Sequence, residues 1–216
     1  MLFLIELSIN FLYFVLVLFL PGEIKKLGKE TTRKISHILC GNWIFIFAYC
    51  NKYYLTDIII MIIMIALMGI SYKYNIFKGV ERVGQDKSYG TIYFFVALFV
   101  FIVFSKLYKL DSRIYIIYFL PLVYGDAFAG ILGQKINWIE YKVLNNKKTV
   151  SGSITMLLVS LVFVFLYNNI ALDNYYTILQ ILIISIIASF MEAISVKGTD
   201  NFTIPICTML MCEVIF

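Results

Sequence analysis

The sequence predicts an all-α integral membrane protein, a polytopic transmembrane helical bundle of seven or eight spans with its amino terminus outside. The first observation behind this prediction is composition: of 216 residues, 62% are hydrophobic and only 14% are charged, and the mean hydropathy is +0.90. A soluble domain of this size is closer to half apolar and a quarter charged. We therefore interpret residues 1–216 as a single integral membrane domain.

The second observation is a series of apolar runs long enough, or nearly so, to cross a bilayer as helices, which takes about 20 residues. No alternating barrel pattern is present, so every span should be helical. The first run has no basic n-region and no small-residue cleavage site, so we expect a retained span rather than a signal peptide. The last run is short, which leaves the count at seven or eight. The runs cover residues 2–20, 35–50, 54–70, 91–105, 114–133, 153–168, 175–191 and 202–216.

The third observation is the distribution of basic residues among the connecting segments. Of the 18 lysines and arginines, 14 fall in alternate connections and only 4 in the others. By the positive-inside rule the basic connections are cytoplasmic, which places the amino terminus outside. The net charge of +5 is then concentrated on one face, where it could also bind anionic lipid or a phosphorylated ligand. The basic connections are residues 21–34, 71–90, 134–152 and 192–201.

Polar residues that topology does not require gather on the same predicted face. They form five clusters, one of which is a charged, glycine-containing loop that leads into the fourth span at residues 80–94. In the clusters near spans two and five, Arg33 and His37 are four residues apart, and Asp126, Gly130 and Gly133 follow helical spacing. The remaining two contain Lys147 and Lys148 before a helix start with Ser151, Gly152 and Ser153, and Glu192 followed by Asp200 and Asn201.

These residue types suit the binding and transfer of a phosphate group beside a membrane. An ionised side chain near the bilayer centre costs about 2.5 to 3.5 kcal/mol on insertion scales, so Asp126 is a functional candidate. Lysines at a helix amino terminus can bind phosphate. Carboxylates can hold a divalent metal, and positioning with charge neutralisation accounts for most phosphoryl-transfer catalysis. The pattern therefore indicates a phosphate compound from the cytoplasm and a lipid partner from the membrane.

Each candidate also has a structural interpretation. Asp126 could belong to a buried ion pair, Lys147 and Lys148 could be topology determinants, and His37 could be a hydrogen-bonding residue at a helix end. Other classes of site are not indicated. The four cysteines have no C-x-x-C spacing, the soluble-kinase phosphate loop is absent, and a basic face alone does not make a nucleic-acid binder.

Taken together, the motifs resemble those of the polyprenol kinase family, which groups phytol kinases, dolichol kinases and CTP-dependent diacylglycerol kinases and is related to phosphatidate cytidylyltransferases. The resemblance extends from about residue 33 to 206, and five motifs in the family's order make it specific. They are R-K-x-x-H-x-x-x-G at 33–41, S-Y-G-T-x-Y-F at 88–94, G-D-A-x-A-G-x-x-G at 125–133, K-K-T-x-x-G-S at 147–153, and Glu192 with D-N-x-T-I-P at 200–205.

The resemblance implies an enzyme that transfers the γ-phosphoryl group of CTP to a membrane lipid alcohol, with Mg²⁺ or another divalent cation. It implies that Asp126 is a metal ligand or the base for the lipid hydroxyl, that Lys148 binds phosphate, and that His37 takes part in catalysis. Further metal ligands would be Glu192 and Asp200. Nucleotide contacts would come from Arg33, Lys34, Gly130, Lys147, Ser151, Gly152, Ser153 and Asn201.

Three functions from different classes follow from this sequence. The first is a kinase acting on phytol, geranylgeraniol, a dolichol-type polyprenol or diacylglycerol. The second is a cytidylyltransferase that makes a CDP-lipid and releases pyrophosphate. The third is a transporter or structural membrane protein, although no inverted repeat is visible. For the kinase we expect a bacterial or archaeal cell membrane, a cytoplasmic active site, a lipid substrate, a nucleotide and no nucleic acid; the sequence leaves the oligomeric state open.

Overall fold

The computed structural model describes residues 1–23, 28–77, 80, 87–108, 111–136, 138–143, 146–196 and 198–216, with the side chains of 20–23 and 29 left out. Most of the polar loop predicted before the fourth span, residues 81–86, lies outside the described residues. The chain divides into two compact units, Met1–Ser112 and Arg113–Phe216. The single-domain interpretation of the sequence stays a prediction, and the two units are described in turn.

The first unit contains five α-helices in the part of the chain that the structure describes. One predicted span, residues 35–50, is divided between two of them. The polar run that begins at Lys29 is already helical, and the helix ends at Gly41, where Asn42 follows as a single turn residue. The helices are α1 (Leu2–Glu23), α2 (Lys29–Gly41), α3 (Trp43–Tyr49), α4 (Tyr54–Tyr74) and α5 (Gly90–Leu107).

Aromatic side chains form the centre of the first unit. The ring of Phe14 on α1 lies 5.5 Å from that of Trp43 on α3 and 5.3 Å from that of Phe95 on α5, centroid to centroid. All three side chains are almost completely buried. Offset and edge-to-face ring contacts at such distances add to the free energy gained by burial. The helices α1, α3 and α5 of this unit therefore pack against one another through aromatic side chains.

Glu6 connects α1 to the start of α4. Its carboxylate accepts the backbone N–H groups of Lys52 at 2.9 Å and Tyr53 at 3.1 Å, and the hydroxyl of Thr56. The first N–H groups of a helix have no partner within the helix, so an acceptor from outside stabilises it. These contacts give the one acidic residue of the first predicted span a structural role.

In the described part of the second unit, one long, interrupted helix is followed by a short hairpin and three further helices. The predicted span 114–133 corresponds to α6 (Ser112–Leu120), a π-helical segment (Pro121–Asp126) and α7 (Ala127–Ile136). Two strands, β1 (Glu140–Val143) and β2 (Asn146–Thr149), pair antiparallel before α8. The remaining helices are α8 (Val150–Ala171), α9 (Ile178–Ile194) and α10 (Asp200–Ile215).

The described helices agree with the prediction of an all-α integral membrane protein. Five helical segments are long and apolar enough to cross a bilayer, and a shorter apolar helix covers Ile178–Ile194. The count of seven or eight spans and the outside location of the amino terminus stay predictions. The five segments found within the described ranges are Leu2–Phe19, Tyr54–Tyr74, Gly90–Leu107, Ser112–Ile136 and Val150–Ala171.

Candidate functional site

Asp126 is buried at the junction between the π-helical segment and α7. Pro121 opens that segment, and because proline has no N–H it cannot continue the hydrogen-bond ladder of α6. Wide π turns inside α-helices are frequent at functional sites. The carboxyl-bearing side chain is only 6% exposed. The interrupted helix therefore holds an acidic residue inside the protein, at a place where the backbone departs from regular α geometry.

Glycines bring the interrupted helix close to α8. A Cβ at Gly125 would lie 2.6 Å from the Sδ of Met156 and 2.6 Å from the Oγ of Ser160. A Cβ at Gly133 would lie 2.9 Å from the Oγ1 of Thr149 and 3.0 Å from the Cα of Gly152. Small residues permit this approach of two helices in a membrane. Gly133, one of the two glycines that follow Asp126 at helical spacing, thus serves helix packing. The other, Gly130, lies half-buried one turn earlier on α7.

The hairpin separates the two adjacent lysines onto opposite faces. In β2, side chains alternate, and cross-strand partners are Tyr141 with Lys148 and Lys142 with Lys147. Lys148 is on the inner face, where its side chain is 13% exposed, whereas the Lys147 side chain is 69% exposed. The Lys147 ammonium lies 3.8 Å from Glu140 on the same outer face. The structure therefore does not bring the two lysines together at one ligand position.

Lys148 joins the hairpin to the end of α9. Its Nζ donates to the Oε1 of Glu192 at 2.6 Å and also to the backbone carbonyl of Glu192. The Glu192 side chain is 13% exposed, so both charges are largely removed from water. The carbonyls of a last helical turn carry partial negative charge and favour a cation. The lysine is therefore held by both a carboxylate and a helix terminus.

Two further carboxylates surround this ion pair. Asp126 and Asp200 are close enough for their charges to act on the carboxyl group of Glu192. Asp200 opens α10, and its Oδ1 accepts the backbone N–H of Asn201 at 2.9 Å. The structure thus brings Asp126, Lys148, Glu192 and Asp200 together from four different elements of the second unit, and three of the predicted motifs supply them.

The acidic residues of this cluster have the right chemistry for a divalent cation. The Oε2 of Glu192 is buried, and among the described residues it has no hydrogen-bond partner. Oxygen donors, carboxylates above all, are the ligands that Mg²⁺ prefers. Within the described ranges, however, no three His, Cys, Asp or Glu side chains are arranged as a ready metal site. The donor set fits a hard cation, and the side chains would converge further on it.

The polar residues at the start of α8 bind one another. Thr149 caps the helix, its Oγ1 accepting the N–H of Gly152 at 3.1 Å and the hydroxyl of Ser151 at 3.2 Å. The hydroxyls of Ser153 and Tyr141 are 2.7 Å apart. In this structure the amide and hydroxyls predicted to bind phosphate hold the hairpin on the helix. Their phosphate-binding role stays a prediction.

The basic residues of the first motif lie in the first unit, on α2. Arg33 is paired with Glu30 on the same helix, with its Nε 3.1 Å from the Oε2 of that residue. Lys34 and His37 are buried, at 3% and 8% exposure, and the His37 ring lies edge-on to Phe94, 5.0 Å between centroids. The basic side chains of this motif are thus partly or fully buried in the first compact unit, and their predicted roles in nucleotide binding and catalysis stay predictions.

Sequence reasoning missed several of the contacts that define the site. It did not assign strands to the hairpin, and it did not identify Tyr141 or the capping role of Thr149. A threonine directly before an apolar helix is a recognisable capping signal. It also did not single out the buried hydroxyl of Ser36 on α2, which has no hydrogen-bond partner in the described part of the chain.

These features define a helical membrane protein in which the largely buried side chains of Asp126, Lys148 and Glu192 form a polar cluster with the half-buried Asp200. The chain is 26% identical over 186 residues to a phytol kinase of Synechocystis sp., an alignment that covers 84% of this chain and 78% of that protein. This similarity confirms the resemblance to the polyprenol kinase family. The chain matches no protein-family model. No solved structure matches it either.

The close contact of α7 with α8 predicts that Gly133→Ala destabilises the protein. The added Cβ meets backbone at Gly152, so the helices must separate, and overpacking of this kind costs about 1 to 3 kcal/mol. Gly69→Ala on α4 is the matched control, because no atom lies within 4 Å of its Cβ position. Thermal unfolding in detergent should show a lower midpoint for Gly133→Ala only. Equal midpoints for the two variants would contradict the close helix contact.

Proposed function

We propose that this protein is a CTP-dependent lipid-alcohol kinase, which transfers the γ-phosphoryl group of CTP to the hydroxyl of a membrane prenol. The prenol would be phytol, geranylgeraniol or a dolichol-type polyprenol, with diacylglycerol as the other acceptor. The observation that carries the proposal is the convergence of Lys148, Asp126 and Asp200 around Glu192 in the second unit. The similarity to a phytol kinase over most of both chains supports the same class of reaction.

The proposed reaction forms one bond and breaks one. The lipid hydroxyl oxygen attacks the γ-phosphorus, the bond from that phosphorus to the β,γ-bridging oxygen breaks, and CDP leaves. The hydroxyl proton needs an acceptor. Asp126 is our candidate because it is buried in the second unit. A carboxylate within reach of the hydroxyl would make that oxygen a better nucleophile as the new bond forms.

Lys148 is the proposed phosphate ligand of the second unit. A lysine offers three N–H donors and a full positive charge to phosphate oxygens. Here it is already desolvated and bound to Glu192, so phosphate binding would exchange one anionic partner for another. The exchange would leave Glu192 available for a cation. Glu192 and Asp200 would hold a divalent cation, which when bound neutralises charge on the transferred phosphoryl group.

The topology belongs to the same proposal. With eight spans and an outside amino terminus, the hairpin and the acidic cluster would face the cytoplasm, where CTP is present. The positive-inside distribution of lysines and arginines supports this orientation. The lipid alcohol would reach the cluster from the bilayer, along helices whose apolar side chains are exposed on the protein surface.

The reaction is tested directly with purified protein, Mg²⁺ and γ-labelled CTP, with γ-labelled ATP in parallel. Phytol, geranylgeraniol, a long polyprenol, diacylglycerol and phosphatidate are supplied one at a time. We expect label to move from CTP to one of the alcohols, with release of CDP. Pyrophosphate released only with phosphatidate, and no labelled lipid, would assign the protein to the cytidylyltransferases instead.

Asp126→Asn should lower turnover by roughly 100- to 10,000-fold, the contribution of a general base in the transition state. The substitution keeps the shape of the side chain and removes its charge, so the unfolding midpoint should stay close to that of the wild type. Asp173→Asn is the matched control, because Asp173 lies exposed after α8 in a left-handed conformation that asparagine also adopts. Normal turnover of Asp126→Asn would make Asp126 structural.

Lys148→Gln should raise the KM for CTP by roughly 10- to 100-fold, as expected for loss of one charged hydrogen bond. Lys142→Gln on the outer face of the hairpin is the control and should leave the KM unchanged. The single variant leaves the largely buried charge of Glu192 without its partner, which can prevent folding. The double variant Lys148→Gln/Glu192→Gln removes both charges and should fold. An unchanged KM for CTP in a folded Lys148 variant would exclude this lysine from the phosphate site.

A further inference from the structure

The connection between α7 and α8 carries both exposed apolar residues and exposed lysines. Ile136, Trp138 and Ile139 are 60%, 56% and 57% exposed. Lys135, at the end of α7, and Lys142, on β1, are exposed beside them, as is Lys147. We refer to these six residues as the basic hairpin patch: Lys135, Ile136, Trp138, Ile139, Lys142 and Lys147.

The position of the basic hairpin patch is fixed by two membrane-length segments. One of them ends at Ile136 and the next begins at Val150, so the short connection between them lies at one membrane surface. Tryptophan is enriched at this depth, because its ring is largely apolar and its N–H is polar. Exposed Trp138 between two exposed isoleucines is therefore suited to the headgroup region rather than to bulk water.

The charges of the patch are not balanced within the hairpin. Lys142 and Lys147 are direct cross-strand partners, and like charges in that position destabilise a strand pair. Glu140 lies 3.8 Å from Lys147 and offsets part of this positive charge. Among the described residues, none forms a hydrogen bond or ion pair with Lys142. An external anion would remove this repulsion.

We propose that the basic hairpin patch binds anionic lipid headgroups at the membrane surface, with Trp138 inserted between the lipids. Each lysine near an anionic membrane surface raises the affinity of the protein for anionic over neutral lipid by about fivefold. The patch contains three lysines. The contact would fix the outer face of the hairpin against the bilayer while Lys148 points inward. This inference does not depend on the proposed kinase reaction.

Tryptophan quenching in lipid nanodiscs tests the proposal. The chain contains two tryptophans, and Trp43 is fully buried, so the difference between wild type and Trp138→Phe reports Trp138. Discs contain a small, equal fraction of brominated phosphatidylglycerol or brominated phosphatidylcholine. We expect the anionic lipid to quench Trp138 with an apparent preference of at least about fivefold. Equal quenching by the two lipids would overturn the proposal.

Charge variants show whether the patch itself causes the preference. Lys135→Gln/Lys142→Gln should bring the quenching ratio close to one, whereas Lys73→Gln/Lys106→Gln removes the same net charge from other helix ends and should keep the ratio. A ratio that falls equally in both double variants would overturn the proposal in favour of net charge. CTP added to phosphatidylglycerol discs should leave the quenching unchanged. Loss of the quenching when CTP is added would assign these lysines to nucleotide binding instead.

Discussion

The ion pair of Lys148 with Glu192 is the contact on which the second unit depends. It joins the hairpin, which lies between two membrane-length segments, to the end of α9 more than forty residues further along the chain. Both side chains are largely buried, and a buried charge without a partner is strongly unfavourable. The pair therefore selects one position of the hairpin relative to α9, and Glu192 in this pair also lies within the electrostatic influence of Asp126 and Asp200.

The surroundings of the pair explain how it can be held so closely. Gly133 and Gly152 let α7 and α8 approach until a methyl group would not fit between them, and Thr149 caps α8 at that same contact. The hydroxyl contact of Tyr141 with Ser153 fixes β1 onto the helix. This arrangement also fixes the position of Lys148, because Lys148 directly precedes the capping residue Thr149 in β2. Helix packing and helix capping thus position a side chain that neither of them contacts.

Much of this could be predicted from the sequence, because hydrophobicity decides which segments can be helices in a membrane. The distribution of basic residues predicted that Asp126 and Lys148 lie in separate clusters on the same membrane face, and the structure places both residues in the second unit. The separation of Lys147 from Lys148 could not be predicted, because the short polar run before Val150 gave no period-two hydrophobic pattern. In the structure the two lysines project from opposite faces of strand β2.

The positions at which two predicted spans depart from regular α-helix were also not predicted from the sequence, for an energetic reason. Asn42 separates α2 from α3 within a predicted continuous span, and Pro121 begins a π-helical segment rather than ending the helix. In both places apolar residues resume directly after one or two other residues, so the hydrophobic pattern reports burial but not the hydrogen-bond register. Register depends on which backbone groups find partners in the packed protein, and this is decided by tertiary contacts.

The charges of the cluster set a condition on any nucleotide that binds there. With all three carboxyl groups ionised, Asp126, Glu192 and Asp200 outnumber Lys148, so the cluster carries excess negative charge. A triphosphate adds further negative charge, and in a site with little water such repulsion is weakly screened. Lys148 alone cannot offset it. The proposed transfer therefore requires a cation between the carboxylates and the phosphates, and the Oε2 of Glu192, which has no hydrogen-bond partner among the described residues, can bind one without giving up a hydrogen bond.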